Sequence, residues 1–255
     1  MSKNLVRAAA SKPGRSTIIH PGNSSMLHIS YGRIRLDATL SAVSFANAEQ
    51  ETGLICLSGN CAITVDGQKF SLGANDSLYV PKGRWVVVET DTAADLVECS
   101  APVDGDYPLQ FIPYADVTAN DKLHFTAGAP GAHRAIDIMF GANMQAGRLV
   151  AGITRSQPGN WTSWPPHEHA KMLEEIYVYI EMPAPAFGMQ LVYTDDITPA
   201  QVEIVREGDA VLMPEGYHPN VAIPGSSLNF VWIMAAHREV ADRQWGVVQV
   251  DPRFA

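Results

Sequence analysis

Residues 159–179 read GNWTSWPPHEHAKMLEEIYVY. Two histidines, His167 and His169, stand two positions apart, and the carboxylates Glu174 and Glu175 follow across a short loop. Residues two apart in a strand project to the same side, so both imidazoles can reach one ion. Pro165 and Pro166 stiffen the approach to them and mark a strand start or edge. From Glu175 the chain alternates. Glu175, Tyr177 and Tyr179 share one face, while Ile176, Val178 and Ile180 share the other, which calls for apolar surroundings. The polar face is the expected lumen of a barrel, which favours Glu175 as the carboxylate ligand and leaves Glu174 as the alternative.

A third histidine comes from GDAVLMPEGYH, residues 208–218. Pro214 and Gly216 make a tight turn there, after which the chain re-enters a strand and His218 can face the first pair. Imidazole suits zinc, iron, nickel and copper, and an added carboxylate extends the list to manganese. The expected cofactor is a divalent metal ion (Zn, Mn, Fe or Ni, zinc foremost) on His167, His169, Glu175 and His218.

Working outward, short strand-like runs recur at 39–45, 54–59, 61–65, 68–72, 76–81, 85–90 and 94–99. Asp66-Gly67 is a hairpin signal between two of them. After a segment at 101–132 rich in Pro, Gly and Asp, the pattern resumes at 135–140, 149–154, 175–180, 187–193, 202–205, 210–213 and 228–234. Strands this short and closely spaced predict an all-β sandwich or barrel. Short turns of helix are expected only at 199–202 and 239–243. Residues 1–35, punctuated by Pro13, Gly14, Pro21 and Gly22, read as an irregular arm with short strands. Such arms pack along another domain or subunit, and a homo-oligomer is expected.

The two strand series carry a common phrase. Asp76-Ser-Leu-Tyr-Val-Pro81-Lys-Gly83-Arg-Trp85 matches Asp209-Ala-Val-Leu-Met-Pro214-Glu-Gly216-Tyr-His218 in register, which points to an internal duplication. Trp85 takes the place of His218, and no histidine pair precedes the first copy. The expected division is therefore an N-terminal domain, 1–125, with the arm and no metal site, and a metal-binding C-terminal domain, 126–255.

The bulk properties narrow the partners. The 255 residues are 46% hydrophobic and 18% charged, with a formal net charge of -9. An acidic chain without a Lys/Arg-dense stripe is a poor match for nucleic acid or an anionic membrane. Cys56, Cys61 and Cys99 form no C-x-x-C pair and sit in apolar runs, which favours a reducing compartment. The N-terminus lacks the apolar run of a signal peptide, and a cytoplasmic location is the expectation. His20, His28, His124, His133 and His237 lack ligand spacing and read as surface or structural residues. Trp161 and Trp164 read as packing, and Asp209 as a turn residue.

The HxH pair, the following Glu, and Gly208-x5-Pro214-x-Gly216-x-His218 resemble the two cupin motifs. The phrases GNWTSWPPHEH, LEEIYVY, Phe187-Gly-Met-Gln190, VYTDD (192–196), GDAVLMPEGYHP and Arg243-Gln-Trp…Asp251-Pro resemble the 5-deoxy-glucuronate isomerase family of myo-inositol breakdown. That family is similar to the 4-deoxy-5-hexosulose-uronate ketol-isomerases of pectin breakdown. The resemblance implies a bicupin, two double-stranded β-helix (jelly-roll) barrels. It also implies an intramolecular oxidoreductase, an aldose–ketose isomerase turning 5-deoxy-glucuronate into 2-deoxy-5-keto-gluconate. The metal would act as a Lewis acid, with a general base moving the proton between adjacent carbons. Glu174, if not a ligand, is a candidate base, and Tyr177, Tyr179 and Gln190 are candidates to bind or orient the substrate. The substrate carboxylate needs a cation, for which Lys171, Arg155 and Arg238 are candidates. The other function classes that fit are a non-catalytic sugar-acid-binding bicupin, a pectin-type uronate ketol-isomerase, and another metal-dependent cupin enzyme such as an iron dioxygenase.

Overall fold

The computed structural model describes residues 4–7, 12–194 and 200–255. Its strands fall into two halves of matching design. In the first, Gln110–Ile112, Ser77–Val80, Gln50–Gly59, Ala94–Pro102, Ser30–Leu36 and Gly14–Ile19 lie side by side in one antiparallel sheet. In the second, the order is Leu5–Val6, Ala210–Met213, Leu173–Ile180, Asn229–Ala236, Leu149–Ser156, Arg134–Phe140 and His124–Ala127. Each half adds a four-stranded sheet: Ala42–Ala46, Trp85–Glu89, Cys61–Val65 and Gln68–Leu72 in one, Trp161–Thr162, Asn220–Ala222, Gly188–Val192 and Gln201–Val205 in the other. Apart from the outermost strands of the large sheets, the two halves use their strands in the same chain order. This is the all-β duplication that the repeated phrase announced.

Within each half the large and small sheets enclose a core, as in a double-stranded β-helix; their ladders stay open at the edges among the described residues. The first core is mostly aliphatic, with Ile34, Leu54 and Leu96 of the large sheet meeting Ile63 and Val86 of the small one. The second mixes Tyr177, Tyr179, Phe230 and Trp232 with Val192, Val205 and Ala222. A third core joins the halves, because the large sheets pack face to face. Ile55, Tyr79, Val97 and Cys99 meet Phe140, Ala151, Ile176, Val178 and Val231 there. Each such aliphatic side chain contributes about 1.5–3 kcal/mol on burial, which makes this a permanent joint rather than a hinge. Gly53 shows how closely the sheets approach: a Cβ on it would run into the Phe140 ring and lie 2.8 Å from Cys99 Sγ.

Several expectations need correction. Most of the supposed arm belongs to the first large sheet. Ser30–Leu36 is covered on both faces, with Tyr31 and Ile34 fully buried, so it shows no alternation. Its buried Arg33, held by Asp95 at 2.6 and 3.0 Å, further hides it. Leu5–Val6 crosses to the second half and pairs with Ala210 and Val211. Among the described residues the helix is Tyr114–Thr118, inside the segment read as a connection. Of the helical turn expected at 199–202, Pro199 lies outside the described residues and Gln201 and Val202 begin a strand; residues 239–242 form turns, not helix. Among the described residues no helix is long and apolar enough to cross a membrane.

Candidate metal centre and cavity

The strand Leu173–Ile180 sets the site. It pairs with Ala210–Met213 on one side and Asn229–Ala236 on the other, so its phase is fixed at every residue. Glu175, Tyr177 and Tyr179 point into the second half's interior; Ile176, Val178 and Ile180 join the core between halves. His167 pairs with Val250 in a two-stranded ladder at the cavity mouth. His218 arrives through the turn at Gly216, whose φ is +101° and whose missing Cβ leaves room for the Tyr193 carbonyl, 2.8 Å from where it would sit.

These elements bring His169, Glu175 and His218 together. Their ligand atoms lie within 4.8 Å of one another, and all three side chains are buried. His169 Nε2 is 3.0 Å from Glu175 Oε2, and His218 Nε2 is 3.1 Å from the same oxygen. The His167 ring stands beside them, 5.1 Å from the His218 ring and 6.4 Å from the His169 ring, outside the tight cluster.

The outer nitrogens fix the protonation pattern. Nδ1 of His167, His169 and His218 faces the backbone carbonyls of Pro165 (3.0 Å), Leu173 (3.2 Å) and Gly216 (2.8 Å). A carbonyl only accepts, so each Nδ1 carries a proton, which leaves each Nε2 turned inward as the atom that offers a lone pair to a metal once the ring is neutral. Two lone pairs and a carboxylate oxygen then converge with nothing between them. His218 Nε2, fully buried, makes no well-aligned hydrogen bond and has only the Glu175 carboxylate within reach, at 3.1 Å. Such an arrangement is costly unless a cation sits at its centre. Burial opposes charge on His169, but the Glu175 carboxylate outweighs it and raises the imidazole above its ordinary value. Burial also works against the charge of Glu175, yet the two imidazoles hold its carboxyl down at about 2. Burial and the neighbouring His218 drive His167 down to about 3, the neutral form a metal ligand needs. The donor set fits a divalent metal ion.

The cluster opens onto a cavity of about 320 Å³. Its walls are largely apolar, with Phe230, Trp232 and Trp245 among them, and its polar groups besides the cluster include Ser163, Tyr177 and Arg134. The Tyr177 hydroxyl and Ser163 Oγ are 2.7 Å apart.

Other expected site residues lie elsewhere. Glu174 points to the opposite side of its strand, as parity requires, and accepts the backbone N–H groups of Leu27, His28 and Ile29 at 2.6, 2.7 and 2.6 Å. It does not line this cavity. Gln190 is fully buried and its amide is fully used. Nε2 donates to the carbonyls of His218 and Leu191, both at 2.8 Å, and Oε1 accepts from the Tyr179 hydroxyl at 2.6 Å. Gln190 and Tyr179 thus buttress His218 from behind and do not line the cavity. Arg155 is bound to Glu181 at 2.8 Å and Asp137 at 3.0 Å, and Arg238 to Asp242 at 2.6 Å. Lys171 is exposed on the outside. Tyr177 alone of the expected catalytic and substrate-binding residues faces the cavity. Trp85, the counterpart of His218 in the repeated phrase, is 54% exposed and fills no lumen.

Arg134, Ser163 and the C-terminal run 245–250 were missed by sequence reasoning. Arg134 was legible in principle: it shares parity with Ile136 and Ile138, which face the second half's core. Starting the strand at residue 135 left it out. The C-terminal run carries no strand alternation to flag it.

The model of the KduI/IolB family matches residues 4–254. A 5-deoxy-glucuronate isomerase of Geobacillus kaustophilus (strain HTA426) is 34% identical over 166 residues, 62% of this chain and 58% of that protein. The match therefore spans under two thirds of that relative's length. Among solved structures, an IolB-like protein from Salmonella typhimurium LT2 superposes with a TM-score of 0.87 over 99% of this chain and 98% of its own, at 24% identity. A cupin 2 conserved barrel domain protein from Leptotrichia buccalis gives 0.54 over 91% and 95%, at 13% identity. These structural likenesses place the fold among the cupins, as two jelly-roll halves.

Proposed function

The chain belongs to the KduI/IolB family, and from that membership and the site together we propose that it is a metal-dependent aldose–ketose isomerase of a deoxy-uronic acid. The substrate we favour is 5-deoxy-glucuronate, converted to 2-deoxy-5-keto-gluconate, and the family name and the relative's name support that choice. The observation that carries the reading is the convergence of His169, Glu175 and His218 beside a largely apolar cavity, with His218 Nε2 making no well-aligned hydrogen bond.

In such a reaction nothing enters or leaves. A hydrogen moves from C2 to C1, and the hydroxyl proton passes from the C2 oxygen to the C1 oxygen. His167, His169, Glu175 and His218 would hold a divalent ion, zinc being our first choice ahead of manganese, iron and nickel, and that ion would supply Lewis-acid polarisation of the aldehyde and its neighbouring hydroxyl. The Tyr177 hydroxyl, paired with Ser163, donates a hydrogen bond to a substrate oxygen and carries the hydroxyl proton between adjacent oxygens. Trp232, Trp245 and Phe230 exclude water from the reacting carbons. Gln190 holds the His218 backbone in place.

The same proposal includes a metal-free N-terminal domain and a metal-binding C-terminal domain divided near residue 125, a homo-oligomer in solution, and a cytoplasmic location. The test is turnover. Metal-replete protein is assayed with 5-deoxy-glucuronate and with the pectin-derived uronate, before and after treatment with a chelator. The expected result is isomerisation of the first substrate, lost on chelation and restored by metal. Turnover of neither substrate would sink the assignment.

A further inference from the structure

Arg134 opens the strand Arg134–Phe140 and is the sole Lys or Arg among the residues lining the cavity. Its hydrogen bond from Nη1 goes to the Ala132 carbonyl, at 3.0 Å, and no carboxylate pairs with it among the described residues. Neighbouring arginines are differently placed: Arg155, Arg238 and Arg253 each hold a carboxylate within 2.8 Å. The turn before the strand packs close to the guanidinium. Gly128, at φ +95°, leaves no room for a Cβ, which would collide with the Ala132 carbonyl and lie 2.7 Å from Arg134 Nη1. A half-buried guanidinium in an apolar cavity loses hydration without gaining a counter-charge, a cost that an incoming anion offsets. Its planar fork matches a carboxylate with two parallel hydrogen bonds.

We propose that Arg134 binds the carboxylate of the substrate and sets the preference of this cavity for sugar acids over neutral sugars. The proposal rests on the reading of the cavity as a sugar-acid site. A uronic acid carries its aldehyde and its carboxylate at opposite ends of a six-carbon chain. The end that carries the aldehyde belongs at the metal cluster. With the aldehyde end held there, the carboxylate at the other end is left to the one guanidinium among the lining residues described. Tyr177 lines the same cavity as Arg134 and stands edge-on to the His218 ring, 5.7 Å between centroids, and so lies between the two ends.

The test measures binding of D-glucuronate and D-glucose to the metal-loaded protein by quenching of intrinsic tryptophan fluorescence, in the wild type, Arg134→Gln and Arg134→Lys. The expected result is a wild-type preference for glucuronate of about tenfold or more, abolished in R134Q and partly kept in R134K. Affinity for glucose and metal content should stay unchanged in both variants. A wild type without the preference, a preference surviving in R134Q, or a parallel loss of both sugars in both variants would overturn the proposal. Failure of the isomerase reading shows itself separately, as absent turnover of 5-deoxy-glucuronate by the wild type.

Discussion

Glu51 and Glu174 occupy the same position in the two halves, and each anchors the half it does not belong to. The ladders pair Thr52 with Val80 and Glu175 with Met213, and Val80 and Met213 precede the repeated Pro81 and Pro214. Glu51 is thus the counterpart of Glu174. Glu174 accepts three consecutive N–H groups at 27–29, just before Ser30–Leu36. Glu51 accepts three at 147–149, leading into Leu149–Ser156, at 2.8, 2.6 and 2.8 Å. Those two strands are themselves counterparts in the sheets. The duplication therefore built a reciprocal clamp with approximate two-fold symmetry.

Removing either carboxylate orphans three backbone donors. Glu174→Ala and Glu51→Ala should each cost about 2–4 kcal/mol of stability, read as a fall in the urea midpoint. Glu174→Ala protein that remains folded should still bind metal, because the adjacent Glu175 faces the other way. A loss of metal with an unchanged midpoint would return Glu174 to the ligand set.

Tyr177→Phe deletes one hydroxyl that faces the cavity and leaves the ring stacked on Phe230, 4.1 Å between centroids. Turnover should fall by about a hundredfold, with KM and metal content little changed. Steady-state kinetics beside elemental analysis checks this. Wild-type turnover in Y177F would remove the hydroxyl from the mechanism.

Gln190→Leu removes the donor to the His218 carbonyl and leaves the Tyr179 hydroxyl short of a partner. Metal affinity should weaken by about tenfold, measured by competition with a chromophoric chelator. An unchanged affinity combined with lost substrate binding would instead support direct contact between Gln190 and the substrate.

The same alternation decided what was and was not legible in the sequence. It separated Glu175, Tyr177 and Tyr179 from Ile176, Val178 and Ile180, and so placed one carboxylate in the cavity. Applied one residue earlier, it also removes Glu174, a step the adjacency of two glutamates obscured. Spacing located His169 and His218 because a ligand pair and a Pro-x-Gly turn are local features. The cation facing the cavity was hidden for the opposite reason. Parity with Ile136 and Ile138 puts Arg134 on the core face, but only the fold in space shows that Arg155 is spent on Asp137 and Glu181. Ser30–Leu36 went unrecognised because it is buried on both sides, which erases alternation.

The central claim is that His169, Glu175 and His218 hold a metal ion. It is tested most directly by elemental analysis of the purified wild type against His218→Ala and His169→Ala, each confirmed folded by circular dichroism. The account expects close to one divalent ion per wild-type chain and little in either variant. Equal metal in all three proteins, or none in the wild type after reconstitution with zinc, manganese, iron or nickel, would contradict it.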